Sequence, residues 1–283
     1  MKKLLITGAN GQLGRALNTL LQDDHSVLIK NTDVDTLDIG DFIQVKELVD
    51  EFKPDIIINC AAYTAVDDCE SKEDKAFYIN AKGPENLALA AEESGAKLVH
   101  ISTDYVFDGY KTTPYIETDE TNPQSVYGST KLAGEKNVQK NCKRHFIIRT
   151  AWLYGDGKNF VRTMIRLASE RDVIRVVENQ YGTPTSALEL ARMILFLMDT
   201  QEYGIYHGTC EGDTNWYQFA IEIFKQANIS VRVEPIRSEE YKAAAKRPDY
   251  SILENNRLNS TTSYRMKNWK EALQEYMEEE RNR

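Results

Sequence analysis

The chain has 283 residues, enough for one large domain or two modest ones, and its 41% hydrophobic and 28% charged residues are those of an ordinary water-soluble globular protein. A formal net charge of −9 argues against nucleic-acid or anionic-membrane partners, which need basic surfaces, and leaves room for a small anion in a local pocket. Cys60, Cys69, Cys142 and Cys210 lack Cys-x-x-Cys spacing and the histidines lack metal-ligand spacing, so reduced thiols, no metal centre and a cytoplasmic location are expected. The apolar run after Met1-Lys2-Lys3 stops at Thr7-Gly8, too short for a secretory signal, and no stretch has membrane length.

Lys3-Leu-Leu-Ile-Thr7 is the continuous apolar run of a strand covered on both faces. It leads directly into Gly8-Ala-Asn10-Gly11-Gln12-Leu13-Gly14 and then a helical pattern through Leu17, Leu20 and Leu21. Glycines at such a strand-to-helix turn permit the bend, close approach of backbone to a pyrophosphate and close helix packing, while the helix N-terminus offers free N–H groups to the phosphates. A second strand at Val27–Ile29 is followed by Asp33, placed about 20 residues beyond the loop, where a carboxylate holds the adenosine ribose. Asp33 would repel a 2′-phosphate, whereas Arg15 and Lys30 would attract one, so NAD and NADP both stay open. Asp38 and Ile39 precede a helix over 42–52; they contact the adenine, or Asp38 serves only the helix start.

The third strand, 55–59, runs into Cys60-Ala61-Ala62-Tyr63-Thr64, small residues at a strand end that let a cofactor lie close. Val66 and Asp67 lead to a helix from Ser71 through Asn80 and Leu87, capped by Gly95. Strands at 97–101 and 144–149 complete an alternation that predicts βαβ units and a doubly wound parallel sheet. After Thr150 the character changes: a loop at 152–157, a helix at 160–168, a strand at 173–177, an apolar helix at 188–198 that rejoins the first domain, and helices at 216–227 and 269–277. The expected fold is therefore α/β, a Rossmann-type doubly wound parallel sheet with a smaller α/β substrate-binding domain. Residues 1–150 plus about 183–203 make the first and 151–182 plus 204–283 the second, with the substrate cleft between them.

The strongest chemical signal lies between Val99 and Lys131. An apolar strand delivers Ser102, Thr103 and Asp104, a loop containing Pro114 and Pro123 could cover a substrate, and Tyr127 and Lys131 stand one helical turn apart. A cation beside a phenol favours the phenolate and should lower its pKa from about 10, as a tyrosine acid/base requires. Tyr-x-x-x-Lys also occurs at Tyr78/Lys82 and Tyr154/Lys158, but the first has no strand-end hydroxyls upstream and the second spans two glycines.

The glycine loop, Ser102-Thr103 and Tyr127/Lys131 together resemble the extended short-chain dehydrogenase/reductases. Finer motifs resemble their dTDP-4-dehydrorhamnose reductase branch: Gly11–Gly14, Asn59–Asp67, Ser102–Gly109, Tyr127–Glu135, Arg149–Tyr154, Gln180–Thr185 and Arg247–Ser251. The resemblance implies reduction by NADPH, with NADH as a second donor, of the C4 ketone of a dTDP-bound 4-keto-6-deoxy sugar. In it Tyr127 is the proton donor, Lys131 lowers its pKa and holds the nicotinamide ribose, Thr103 bonds the reacting oxygen or the tyrosine, and Asp104 the sugar hydroxyls. Gly8, Asn10, Gly11, Gln12, Leu13, Asp33, Asp38, Ile39, Ala61, Ala62, Tyr63 and Thr64 would then serve the cofactor, and Val66, Asp67 and Trp152 the sugar. The lesser alternative for Trp152 is a plain core tryptophan at the domain junction. Some relatives dimerise through Mg²⁺ on glutamates; the corresponding Ala16 and Leu188 point instead to a monomer or weak homodimer, and Asp249 replaces an expected neutral amide. Two alternatives share the fold: another nucleotide-sugar 4-ketoreductase, and a non-catalytic regulatory subunit like that of methionine adenosyltransferase.

Overall fold

A computed structural model describes residues 1–241 and 244–282; residue 283, the end of the expected second domain, lies outside the described residues. The first half runs β1 (Lys2–Thr7), α1 (Gln12–Leu21), β2 (Val27–Thr32), α2 (Phe42–Phe52), β3 (Ile56–Asn59), α3 (Val66–Cys69), α4 (Glu73–Phe77), a π turn (Tyr78–Lys82), α5 (Gly83–Ser94), β4 (Lys97–Thr103), α6 (Val126–Asn141) and β5 (His145–Thr150). There follow β6 (Leu153–Tyr154), α7 (Phe160–Glu170), β7 (Val173–Val177), β8 (Tyr181–Gly182), β9 (Thr185–Ser186), α8 (Ala187–Leu197), β10 (Gly204–His207), β11 (Thr214–Asn215), α9 (Trp216–Ala227), β12 (Arg232–Ile236), α10 (Asn256–Thr261) and α11 (Trp269–Arg281).

Six parallel strands form one sheet in the order β10-β5-β4-β3-β1-β2. The continuous apolar runs follow from burial on both faces. Leu4, Ile6, Ile56, Ile58 and Val99 pack under α1 and α8, and Leu5, Ile57, Leu98 and Ile147 under α2, α5 and α6. Helix α1 contributes Leu13, Leu17 and Leu21, each burial worth about 1.5–3 kcal/mol. A separate core joins α7, β7, α9 and α11 through Val161, Ile174, Phe219, Ile223 and Leu273.

Two local features depart from the sequence reading. The helix expected from Ser71 to Gly95 is interrupted by the π turn, one turn before Pro84. Proline has no N–H for the carbonyl of Asn80, four residues earlier, and a widened turn absorbs the lost bond. Strand β10, grouped with the smaller domain, instead pairs parallel with β5 at the edge of the large sheet. Four residues, Gly-Ile-Tyr-His, are too few to show a strand period, and α10 covers them.

Candidate active site

At the switch point of the sheet the chain leaves β1 toward β2 on one side and reaches β3 on the other, opening a crevice at the strands' carboxyl ends. A cavity of about 520 Å³ fills it, lined by Gly8, Gly11, Asp33, Asp38, Ile39, Ala61, Ala62 and Tyr63. Gly8 lies at φ +66°, and a Cβ there would sit 2.6 Å from the Ala61 nitrogen; one at Gly14 would sit 2.5 Å from the Gly8 carbonyl oxygen. The cradle thus exists because those two positions carry no side chain, and it fits a dinucleotide whose pyrophosphate meets the start of α1. Gly8→Ala is expected to weaken binding of a reduced dinucleotide at least about ten-fold by forcing a side chain into the left-handed region and the crevice. Fluorescence titration reads this, and unchanged affinity would remove the loop from the site.

Hydrogen bonds brace the lining, and other expected cofactor residues lie around it. Asp33 accepts the Asn10 N–H at 2.9 Å and the Val34 N–H at 2.8 Å, which ties the glycine loop to the end of β2. Asp38 accepts from the Gly40 N–H at 2.9 Å and from the Tyr78 hydroxyl at 3.1 Å. Leu13 is a buried core residue, so at the loop it can offer a ligand its backbone, and Thr64 is exposed. Gln12 packs beside Gly155 and Gly157, while Arg15 pairs with Asp156 at 3.3 Å on the surface. Lys75 and Tyr78 also line the cavity, and nothing in the sequence reading gave them that role. Their signal was position, on the helix that leaves the Cys60–Thr64 loop.

Two buried amides hold that loop. Asn59 accepts from the Thr7 hydroxyl at 2.7 Å and the Ala61 N–H at 3.1 Å, and its amide nitrogen donates to Nδ1 of His100 at 3.0 Å. Burial, with Lys131 nearby, holds His100 neutral well below the usual histidine range. Asn80, aimed inward by the π turn, accepts the Tyr63 N–H at 2.8 Å and donates to the Tyr63 carbonyl at 3.0 Å and to the Thr130 hydroxyl at 3.1 Å. It therefore ties the cofactor loop to α6, and the sequence showed it only as one helical residue.

Thr103, Asp104, Tyr127 and Lys131 come together at the carboxyl edge of β4, all nearly inaccessible to solvent. Ser125 caps α6 by accepting the Gly128 N–H at 3.2 Å, which fixes where Tyr127 enters. The expected lowering of the Tyr127 pKa is not what the structure shows. Burial pushes the phenol above its usual range, only partly offset by the Thr103 hydroxyl, because the Lys131 ammonium donates to the Ile101 carbonyl at 2.6 Å. Burial also lowers Lys131 to about 8, against the pull of Glu135. Asp104 is pushed up to about 6 by burial, with the Ser251 and Thr103 hydroxyls pulling it down. The rival tyrosines are elsewhere: Tyr78 is on the π turn at the cofactor cavity, and Tyr154 is a buried strand residue.

Among the substrate-side residues, Val66 packs with Tyr63, Tyr105 and Tyr127. Trp152 is half-buried at φ +48° and stacks on Trp216, ring centroids 3.5 Å apart and planes at 10°. Asp67 pairs with Arg247 at 2.8 Å, a partner far along the chain. The proline-containing loop is fastened at Tyr115, which stacks on Phe107 and bridges to Leu253. Among the described residues no helix is long and apolar enough to cross a membrane, and no cluster of His, Cys, Asp and Glu could hold a metal.

Known proteins share this arrangement. The RmlD substrate binding domain family matches residues 1–282. A dTDP-4-dehydrorhamnose reductase of Aggregatibacter actinomycetemcomitans is 40% identical over 96% of this chain and 97% of its own. A crystal structure of the same enzyme type from Clostridium acetobutylicum is 51% identical, with a TM-score of 0.97 over 99% of both chains. One from Bacillus anthracis, in complex with NADP, is 46% identical with a TM-score of 0.96 over 99% of this chain and 100% of that one. With a doubly wound sheet, a glycine cradle at its switch point, a buried Thr-Tyr-Lys cluster at the carboxyl edge of β4 and this match along its length, the chain belongs to the RmlD substrate binding domain family.

Proposed function

We propose that this protein reduces the C4 ketone of dTDP-4-dehydro-6-deoxy-L-mannose to dTDP-L-rhamnose with NADPH, and accepts NADH. The observation that supports the reading is the joint burial of Thr103, Tyr127 and Lys131, with Lys131 close enough to Cys60, a lining residue of the cavity, for their charges to interact. The names of the relatives and the NADP held by the Bacillus anthracis protein support it. We read residues 1–150 plus about 183–203, with β10 added, as the cofactor domain and the rest as the sugar domain, in a cytoplasmic monomer or weak homodimer.

When bound in the cavity, the nicotinamide supplies hydride to the ketone carbon. Tyr127 supplies the proton. Burial keeps the phenol protonated, so a proton is present for the more basic alkoxide to take. Lys131 holds positive charge near the phenolate left behind and reaches the nicotinamide ribose. Thr103 hydrogen-bonds the reacting oxygen, Asp104 accepts from sugar hydroxyls, and Trp152 on Trp216 forms an apolar wall for the sugar.

The test follows loss of reduced-nicotinamide absorbance with dTDP-4-keto-6-deoxyglucose, with and without a 3,5-epimerase. Oxidation only with the epimerase, yielding dTDP-rhamnose, is the expected result; oxidation without it would replace the proposed substrate. A pH profile adds a second check. Asp104, raised to about 6, takes up its proton and loses its acceptor role as pH falls through that value. Lys131, lowered to about 8, loses its charge as pH rises through that value. Thus kcat/KM should be highest between about 6 and about 8 and fall roughly ten-fold per unit outside that window. Asp104→Asn should remove the acid limb, and a flat profile would count against both roles.

A further inference from the structure

The dinucleotide cavity is lined by two carboxylates, Asp33 and Asp38, and, among the described residues, by one cation, Lys75. Both carboxylates are engaged, Asp33 by the Asn10 and Val34 N–H groups and Asp38 by the Gly40 N–H and the Tyr78 hydroxyl. Lys75 is not. It lies exposed on α4 with its ammonium 4.9 Å from the centre of the Tyr63 ring, and among the described residues no carboxylate pairs with it and no oxygen accepts from it. The ring beneath it is held at both ends. Asn80 fixes the Tyr63 backbone, and the phenol donates to Asp68 at 3.2 Å. Asp68 is itself paired with Lys72 at 2.8 Å.

A cation resting on an aromatic face at an exposed site is held weakly, and an anion with oxygen acceptors competes for it strongly. Position says which anion. Ala61, two residues before Tyr63, abuts Gly8 so closely that a Cβ on Gly8 would sit 2.6 Å from the Ala61 nitrogen, so the loop that carries Tyr63 starts at the glycine turn. On the other side of that turn, α1 opens at Gly11 with no acidic residue in its first turn and no side chain capping it, which leaves its N–H groups for a phosphate. The lining itself is net negative, two carboxylates against one ammonium, and a dinucleotide brings further negative charge.

Resting on the function proposed above for the identity of the ligand, we propose that Lys75 is a cofactor-binding residue that supplies counter-charge to the dinucleotide pyrophosphate, leaving the Tyr63 ring as the cofactor enters. The glycine turn and α1 meet the pyrophosphate with fixed backbone N–H groups, and Lys75 meets it with a charge on a flexible stem. The same charge relieves the repulsion that Asp33 and Asp38 impose on an incoming polyanion. Because the pyrophosphate is common to NADPH and NADH, Lys75 serves both and does not choose between them.

The test measures dissociation constants of NADPH and of NADH by calorimetry, at low and at high potassium chloride, with no sugar present. Lys75→Met should weaken both cofactors to the same extent, about five- to ten-fold, the loss expected of one charge-assisted contact open to solvent. Lys75→Glu should weaken both further, and Lys75→Arg, which keeps the charge, should stay within about two-fold of wild type. Salt separates charge from packing. Wild-type affinity should fall more steeply with added salt than that of Lys75→Met, whereas parallel slopes would make Lys75 a structural residue and overturn the proposal. Unchanged affinity in Lys75→Met would overturn it too, and a loss confined to NADPH would replace the pyrophosphate with the 2′-phosphate. Binding is read without turnover: a protein that shows the predicted losses but reduces no sugar would sink the proposed function and leave this inference standing.

Discussion

Tyr127→Phe is expected to lower kcat about 10²–10⁴-fold, the usual contribution of a positioned general acid, while the dissociation constant for NADPH changes less than about two-fold. The phenol is buried beside Thr103, and its ring packs with Tyr63, Tyr105 and Val66. Phenylalanine keeps that packing and removes only the oxygen, so the fold and the dinucleotide cavity should persist. KM should move little, because the proton is needed in the transition state and not for binding. A stopped-flow trace of nicotinamide oxidation alongside a cofactor titration checks both halves. Unchanged turnover would take Tyr127 out of the mechanism, and loss of cofactor binding would make it a structural residue of the cavity.

The dinucleotide half of this site was legible because its signals are local. A strand, three glycines and a helix fall within Lys3 to Leu21, and the carboxyl-end loops at Ala61–Tyr63 and Asp38–Ile39 follow strands that apolar runs announce. Helices α2 and α9 and strand β7 were bounded correctly for the same reason: each has a clear period between polar or turn residues. What the sequence hid depends on distance and burial. The Asp67–Arg247 pair joins residues 180 positions apart, and no pattern announces it. The Tyr127 pKa was misjudged because Tyr-x-x-x-Lys spacing places two groups on one face without saying where the ammonium points, and here the Ile101 carbonyl claims it. Leu13 sits among the glycines in sequence, and only the fold shows that its side chain joins the core beneath α1.

The second large effect is expected at Glu135 and Arg149, which the sequence reading noticed only as parts of longer motifs. Arg149 Nε and Nη2 reach the two oxygens of Glu135 at 2.9 and 2.7 Å, both side chains are at most 3% exposed, and Ser102 donates to the same carboxylate. Glu135 lies one turn beyond Lys131 on α6, Arg149 on β5 and Ser102 on β4, so the pair pins α6 to those two strands. Removing one member leaves the other charged in a dry site. Glu135→Gln or Arg149→Met should each therefore cost about 3–5 kcal/mol in urea unfolding. The double variant Glu135→Leu/Arg149→Met leaves no orphaned charge and should cost clearly less than the sum of the singles, a positive coupling in a double-mutant cycle. Glu135→Gln has a second consequence. Its carboxylate opposes the burial that lowers Lys131, so without it the alkaline limb of the pH profile should move below about 8. Strictly additive costs, or single losses under about 1 kcal/mol, would show that water reaches the pair and screens it. An unmoved alkaline limb would mean that Lys131 keeps its charge by its own contact with the Ile101 carbonyl.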